Sequence, residues 1–133
     1  MTDLQGLIER LEKAEGPDRE LDNSLTLAAF PEGRIVLAPD QRYDYIMGSS
    51  GGGPVSPLTA SIDAAVAFAE RVLPGCWYQI AKGKLRDAEP LFGALILFGS
   101  DEVLGAGEHP TSLPIAILIA TLRALQAQGG SDG

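Results

Sequence analysis

Reactive residue types are scarce in this chain of 133 residues, which contains one cysteine and one histidine. Because Cys76 has no second cysteine, an intrachain disulfide and a zinc site built from cysteines are both excluded. We interpret Cys76 as a small buried apolar residue of a protein in a reducing compartment.

Long hydrophobic runs are also missing. The two most apolar stretches, 91–98 and 113–122, are shorter than the ~20 apolar residues that a membrane-spanning helix needs. Residues 1–15 mix acidic and apolar residues and lack the basic-then-apolar order of a secretory signal. We therefore expect a soluble, cytoplasmic protein that does not bind membranes.

Basic residues are few, since ten Lys and Arg stand against 18 Asp and Glu, for a net charge of −8. Phosphate backbones are bound by clustered Lys and Arg. The densest basic group here, Lys82, Lys84 and Arg86, has no aromatic residues between its members to stack bases. The composition argues against direct nucleic-acid binding and indicates an acidic surface that would suit a basic partner.

Apolar residues are plentiful at 45% of the chain, which is enough for the core of one domain. We expect one domain over residues 1–128 and a flexible tail over 129–133. Apolar spacing and turn residues predict the element order α-α-β-β-α-β-β-α. Segment 91–98 is apolar on both alternating faces, which favours a strand covered on both sides. These features predict a three-layer α/β/α sandwich with a small, mostly antiparallel sheet and helices on both faces.

The last predicted helix begins near Thr111 and runs to about Gln128. Apolar residues cover most of its circumference, so we expect it to be deeply buried or covered by a second copy of the chain. Ile119 and Leu122 are the candidate interface residues of such a homodimer. Trp77 and Tyr78 point to opposite faces of their predicted strand, and one of them is a candidate interface anchor, whereas core packing of both is the simpler interpretation.

The stretch GSSGGGPVSPLTASIDAA, residues 48–65, carries the most suggestive motif. Its start matches the G-x-S-x-G pattern of a hydrolase nucleophile elbow, with Ser50, Asp101 and His109 in the order Ser…Asp…His. An elbow turns directly from a strand into a helix, whereas Pro54 and Pro57 intervene before the helix that Ser61 opens. A catalytic triad is therefore a weak candidate.

The same stretch has a second interpretation as an anion or small-ligand site. Backbone N–H groups at the start of the helix could hold a carboxylate or phosphate. The candidate ligand-binding residues are Gly51, Gly52, Gly53, Thr59 and Ser61. The Walker A pattern fails because Pro54 stands where lysine is required. A flexible connection into the helix remains the plainest interpretation of the stretch.

The acidic loop 101–109 contains Asp101, Glu102, Glu108 and His109, and oxygen ligands at this density suit divalent cations. It lacks the spacing of a calcium-binding loop, and a solvated acidic loop is the simpler interpretation. The sequence predicts no metal and no cofactor.

Several short segments resemble the phage ABA sandwich domain family. The segment TASIDAA, residues 59–65, is similar to that family's helix-opening segment, and residues 110–116 with 120–124 resemble its C-terminal helix. Residues 7–11 and 16–22 resemble its N-terminal openings, and Trp77-Tyr78 matches its aromatic strand loosely. The resemblance implies an α/β/α protein encoded by a phage or prophage, without an established chemistry. We therefore expect a non-enzymatic accessory protein in the bacterial cytoplasm that contacts a host or phage protein.

Overall fold

The computed structural model describes residues 3–48, 51–83, 91–98 and 102–129. The helices in these ranges are α1 Leu4–Lys13, α2 Arg19–Ala29, α3 Ile62–Val72 and α4 Leu113–Gly129. The strands are β1 Arg34–Val36, β2 Tyr45–Gly48, β3 Gly51–Pro54, β4 Trp77–Gly83, β5 Leu91–Phe98 and β6 Glu102–His109. The mixed α/β class and the predicted order of elements are confirmed, and β3 and β6 are two further strands in segments that we predicted as loops.

Side chains that precede each of the first three helices determine where the helix begins. Asp3, Asp18 and Ser61 each accept a hydrogen bond from a backbone N–H in the first turn of the helix that follows. These N–H groups have no partner within their own helix, so a capping oxygen stabilises the helix by about 1 kcal/mol.

The strands form two separate antiparallel sheets, β1-β2-β3 and β4-β5-β6, each with neighbouring strands in chain order. In the first sheet Ile46 lies opposite both Ile35 and Gly53. Pro54 is the last residue of the edge strand β3, a position where the missing backbone N–H is tolerated. The second sheet has an irregular register between Ile96 and Leu97, where β5 meets β6.

Helix α4 lies at the centre of the molecule. It packs on β5 and β6 through one side and contacts α1 and α3 through the other. The layers therefore run from the second sheet to α4 and then to α1 and α3, which stack on α4. Its residues 115–120 are all buried, as the nearly continuous apolar surface of this helix requires.

Two glycines allow β6 to lie directly against α4. A Cβ atom on Gly105 would lie 2.6 Å from the backbone nitrogen of Ala124, and one on Gly107 would lie 2.6 Å from that of Ala120. Such distances are shorter than any ordinary van der Waals contact, so only glycine fits at these two positions.

Candidate functional site

The glycine-rich stretch forms one wall of a mostly apolar cleft. Gly51 continues the chain into β3 with φ +116°, a backbone conformation that favours glycine. β3 pairs with β2 to form a hairpin, and this hairpin faces the end of α2 and one side of α3. The cleft between them has a volume of about 440 Å³.

The opposite wall of the cleft is a single stripe of helix α3. Ala64, Ala67, Phe68 and Arg71 line it, and their spacing of three and four residues places them on one face of the helix. Two of the four are alanines, and the facing strand β3 has no side chain before Pro54. The cleft stays open because both walls carry small residues.

Most of the remaining lining is apolar and includes Phe30, Ile46 and Leu58. Of the residues that the structure describes, the charged ones that line the cleft are Arg71 and Glu32. The guanidinium carbon of Arg71 lies 3.9 Å from the centre of the Phe30 ring, so the cation stacks on the aromatic face. Sequence reasoning missed Arg71, although its distance of seven residues from Ala64 placed it on the same helix face.

The predicted ligand-binding residues separate into two groups. Gly51, Gly52 and Gly53 line the cleft, whereas Thr59 and Ser61 have structural partners. Ser61 Oγ accepts the N–H of Ala64 at the start of α3.

Thr59 is buried against α2 and links it to the segment before α3. Its backbone N–H and its hydroxyl both donate to Asp22 Oδ1 at 2.8 Å, and the hydroxyl oxygen accepts the N–H of Asp18 at 2.7 Å. Burial raises the pKa of Asp22 above its ordinary value of 3.8, against the opposing effect of the Thr59 hydrogen bonds. These contacts occupy Thr59, so it holds two elements together.

A second buried carboxylate, Asp44, ties α2 to the loop that follows β1. It accepts hydrogen bonds from Arg19 at 2.5 Å, from Asn23 at 2.8 Å and from the backbone N–H of Ala38 at 2.9 Å. These donors, with Arg19 the strongest, lower the pKa of Asp44 from 3.8 to about 2. This network is structural and positions the first sheet beside α2.

His109 is 2% exposed, and both of its ring nitrogens are in contact with backbone groups. Nε2 lies 2.6 Å from the carbonyl oxygen of Ala14, which can only accept, so Nε2 carries the proton. Nδ1 accepts the N–H groups of Thr111 at 3.1 Å and Ser112 at 3.0 Å, at the start of α4. The ring thus joins the end of α1 to the start of α4 and has no free nitrogen for a serine. Ser50 and Asp101 lie outside the described residues.

One exposed apolar surface lies on the second sheet, on the face turned away from α4. In the register, Trp77 lies opposite Leu97, which lies opposite Val103, and Gln79 lies opposite Leu95, which lies opposite Ala106. Residues directly opposite one another point to the same face of a sheet. We call this surface the Trp77 face, and it comprises Trp77, Gln79, Leu95, Leu97, Val103, Ala106 and Glu108.

Trp77 is 68% exposed and Val103 is 49% exposed, although both are large apolar residues. Tyr78 is partly exposed, and its place in β4 directs it to the opposite face of the sheet. Ile119 and Leu122 are completely buried in the core of the single chain, so neither is accessible to a second copy. Of the four predicted interface residues, Trp77 is the most exposed.

Cys76 lies half-buried just before β4, and burial raises the pKa of its thiol. Within residues 3–48, 51–83, 91–98 and 102–129, no three His, Cys, Asp or Glu side chains come together as metal ligands would. In the same ranges, no helix combines the length and the apolar character required to cross a membrane.

Comparison with protein-family models, with curated proteins and with solved structures finds no match to this chain.

Proposed function

We propose that this protein is a phage- or prophage-encoded accessory protein of the bacterial cytoplasm that binds another protein without catalysing a reaction. The observation that carries the proposal is the exposure of Trp77 on an apolar sheet face. Tryptophan is among the residues that contribute most binding energy at protein interfaces. The phage origin rests on the resemblance of short segments to the phage ABA sandwich domain family.

The chemistry of the Trp77 face indicates which kind of protein surface would bind there. Its centre is apolar, whereas Glu108 lies opposite Gly93 at one end of the same face. The chain carries a net charge of −8, so a protein with an apolar patch and basic residues around it matches both features. Basic residues around the partner's apolar patch would also increase the association rate with this acidic chain, and added salt would reduce that increase.

The test is an affinity pull-down from bacterial lysate with the tagged wild-type protein, Trp77→Ser and a matched control, Leu37→Ser. Leu37 is 71% exposed, but it lies in the loop after β1, away from the Trp77 face. We expect one stoichiometric partner with the wild type and with Leu37→Ser, and its loss with Trp77→Ser. Both substitutions remove exposed apolar surface, so each should change the stability by less than about 1 kcal/mol.

Two results would contradict the proposal. One is a partner that Trp77→Ser retains as well as the wild type does. The other is no partner from lysates with and without phage induction. Light scattering of the purified proteins measures the oligomeric state. A wild-type dimer that Trp77→Ser converts to a monomer would show that the Trp77 face binds a second copy of the chain and not a different protein.

A further inference from the structure

We propose that the cleft between the β2–β3 hairpin and α3 binds a small monocarboxylic acid with an apolar body, and that Arg71 holds the carboxylate. The cleft lies outside the Trp77 face, so this function is separate from the protein binding proposed above.

The size and lining of the cleft suit a small molecule. Its volume of about 440 Å³ falls within the range of small-ligand sites, which are mostly apolar with a few polar groups. Phe30, Phe68, Ile46 and Leu58 supply the apolar lining. An apolar ligand body gains free energy there by leaving water.

Arg71 supplies the polar group that would orient the ligand. The face of its guanidinium stacks on Phe30, which leaves the N–H groups at the edge of the plane available. These N–H groups form a fork that matches the two oxygens of a carboxylate. Among the residues that the structure describes, none pairs with Arg71 through an ion pair or a side-chain hydrogen bond.

The other charged residue limits the ligand to one negative charge. Within the described part of the chain, Arg71 and Glu32 are the charged members of the lining, and their charges sum to zero. One ligand carboxylate pairs with Arg71, whereas a second would meet only Glu32, which repels it. Because Glu32 repels the second charge, a dicarboxylate or a phosphate dianion fits this cleft less well than a monocarboxylate does.

Calorimetric titration of the purified protein with decanoate and with 2-naphthoate tests the proposal, because these acids share a carboxylate but differ in the apolar body. Their uncharged amides, decanamide and 2-naphthamide, are the matched ligand controls. We expect one acid to bind with 1:1 stoichiometry and its amide to bind about tenfold more weakly or worse. The acid that binds more tightly shows whether the cleft prefers an aliphatic or an aromatic ligand.

Charge variants assign the carboxylate contact. We expect Arg71→Gln to weaken binding of the acid about tenfold or more and to leave binding of the amide within about twofold. Glu32→Gln removes the other charge and should bind the acid at least as tightly as the wild type. Circular dichroism and thermal unfolding establish that each variant is folded.

Two glycine-to-valine variants, one in the cleft and one outside it, test whether the ligand binds in the cleft. Gly53 lies opposite Ile46 on one sheet face, and a Cβ atom there meets nothing within 4 Å, so Gly53→Val places its side chain in open space. Gly16 is equally unobstructed but lies between α1 and α2, away from the cleft. We expect Gly53→Val to abolish binding and Gly16→Val to preserve it. Gly52 is unsuitable because a Cβ atom there would collide with the backbone oxygen of Ile46.

The proposal is overturned if neither acid binds at concentrations up to about 1 mM, the weakest affinity that a specific site of this kind should have. It is also overturned if folded Arg71→Gln binds the acid as tightly as the wild type, or if folded Gly53→Val does so.

Discussion

His109 shows how a single side chain organises this fold. It accepts two backbone N–H groups at the start of α4 and donates to the backbone of Ala14 just after α1. Backbone groups at helix ends have no partner in their own helix, and buried polar groups without partners are costly. The histidine that the sequence offered as a catalytic base therefore acts as a bridge between two helices.

Replacing His109 with Ala should destabilise the protein by about 2–4 kcal/mol, because it removes a buried ring and leaves backbone groups at both helices without partners. Urea denaturation measures the free energy of unfolding. Its neighbour Glu108 is exposed, and Glu108→Ala should change that free energy by no more than about 0.5 kcal/mol. A loss below about 1 kcal/mol for His109→Ala would contradict the bridging role.

The stabilising effects of two aspartates, Asp44 beside α2 and Asp22 within it, should depend on pH in opposite directions. The folded pKa of Asp44 is about 2, below its ordinary value of 3.8. Its stabilising contribution is therefore present above about pH 4 and is lost as the pH falls toward 2. The folded pKa of Asp22 lies above 3.8 because of burial. Its contribution is present below about pH 4 and is lost as the pH rises through its folded pKa.

Urea denaturation of the wild type, Asp44→Asn and Asp22→Asn between about pH 2 and pH 7 should separate these effects. The stability advantage of the wild type over Asp44→Asn should shrink on acidification below about pH 4. The stability of the wild type relative to Asp22→Asn should instead fall as the pH rises above about pH 4. A pH-independent difference for either variant would show that the carboxylate does not titrate as inferred.

At the scale of elements, the contact of β6 with α4 depends on Gly105 and Gly107. The backbone of α4 occupies the space that a Cβ atom would need at either position. A strand normally packs on a helix through side chains, whereas here it packs through its backbone. This contact buries α4 between the second sheet and the helices α1 and α3.

Gly105→Ala and Gly107→Ala should each destabilise the protein by about 1–3 kcal/mol, since α4 must move to admit the added methyl group. Gly93→Ala in β5 is the matched control, because its Cβ atom would meet its nearest neighbour at 3.8 Å, an ordinary contact. Thermal unfolding should show a lower midpoint for the first two variants and an unchanged or higher midpoint for Gly93→Ala. Equal midpoints for all three would contradict the proposed packing.

The elements that sequence patterns missed share one property. Strands β3 and β6 contain glycines at the positions where apolar alternation would normally mark a strand, so they were predicted as loops. Helix α3 was recognised, and its first residue, Ile62, is exposed although it is apolar. Phe68 is buried and lies on the same helix face as Ala64 and Arg71, which also line the cleft.

At the scale of the whole molecule, α4 and the Trp77 face show how apolar residues are divided between the core and the surface. Helix α4 supplies much of the core, and the helices stack on it and on one another. Trp77 and Val103 lie exposed on the Trp77 face, which is the face of the second sheet turned away from α4. An apolar helix predicted as a possible dimer surface is thus internal, and the second sheet carries an exposed apolar face.

The amino-acid sequence by itself determined the class of the fold, the order of its elements and the ends of its helices. These depend on local physics, namely apolar spacing and capping oxygens such as that of Ser61. The division of the strands into two sheets, the role of His109, the cleft around Arg71 and the exposure of Trp77 were decided only by the tertiary structure. Each depends on groups far apart in the chain, and sequence periodicity does not specify which of two apolar faces becomes covered.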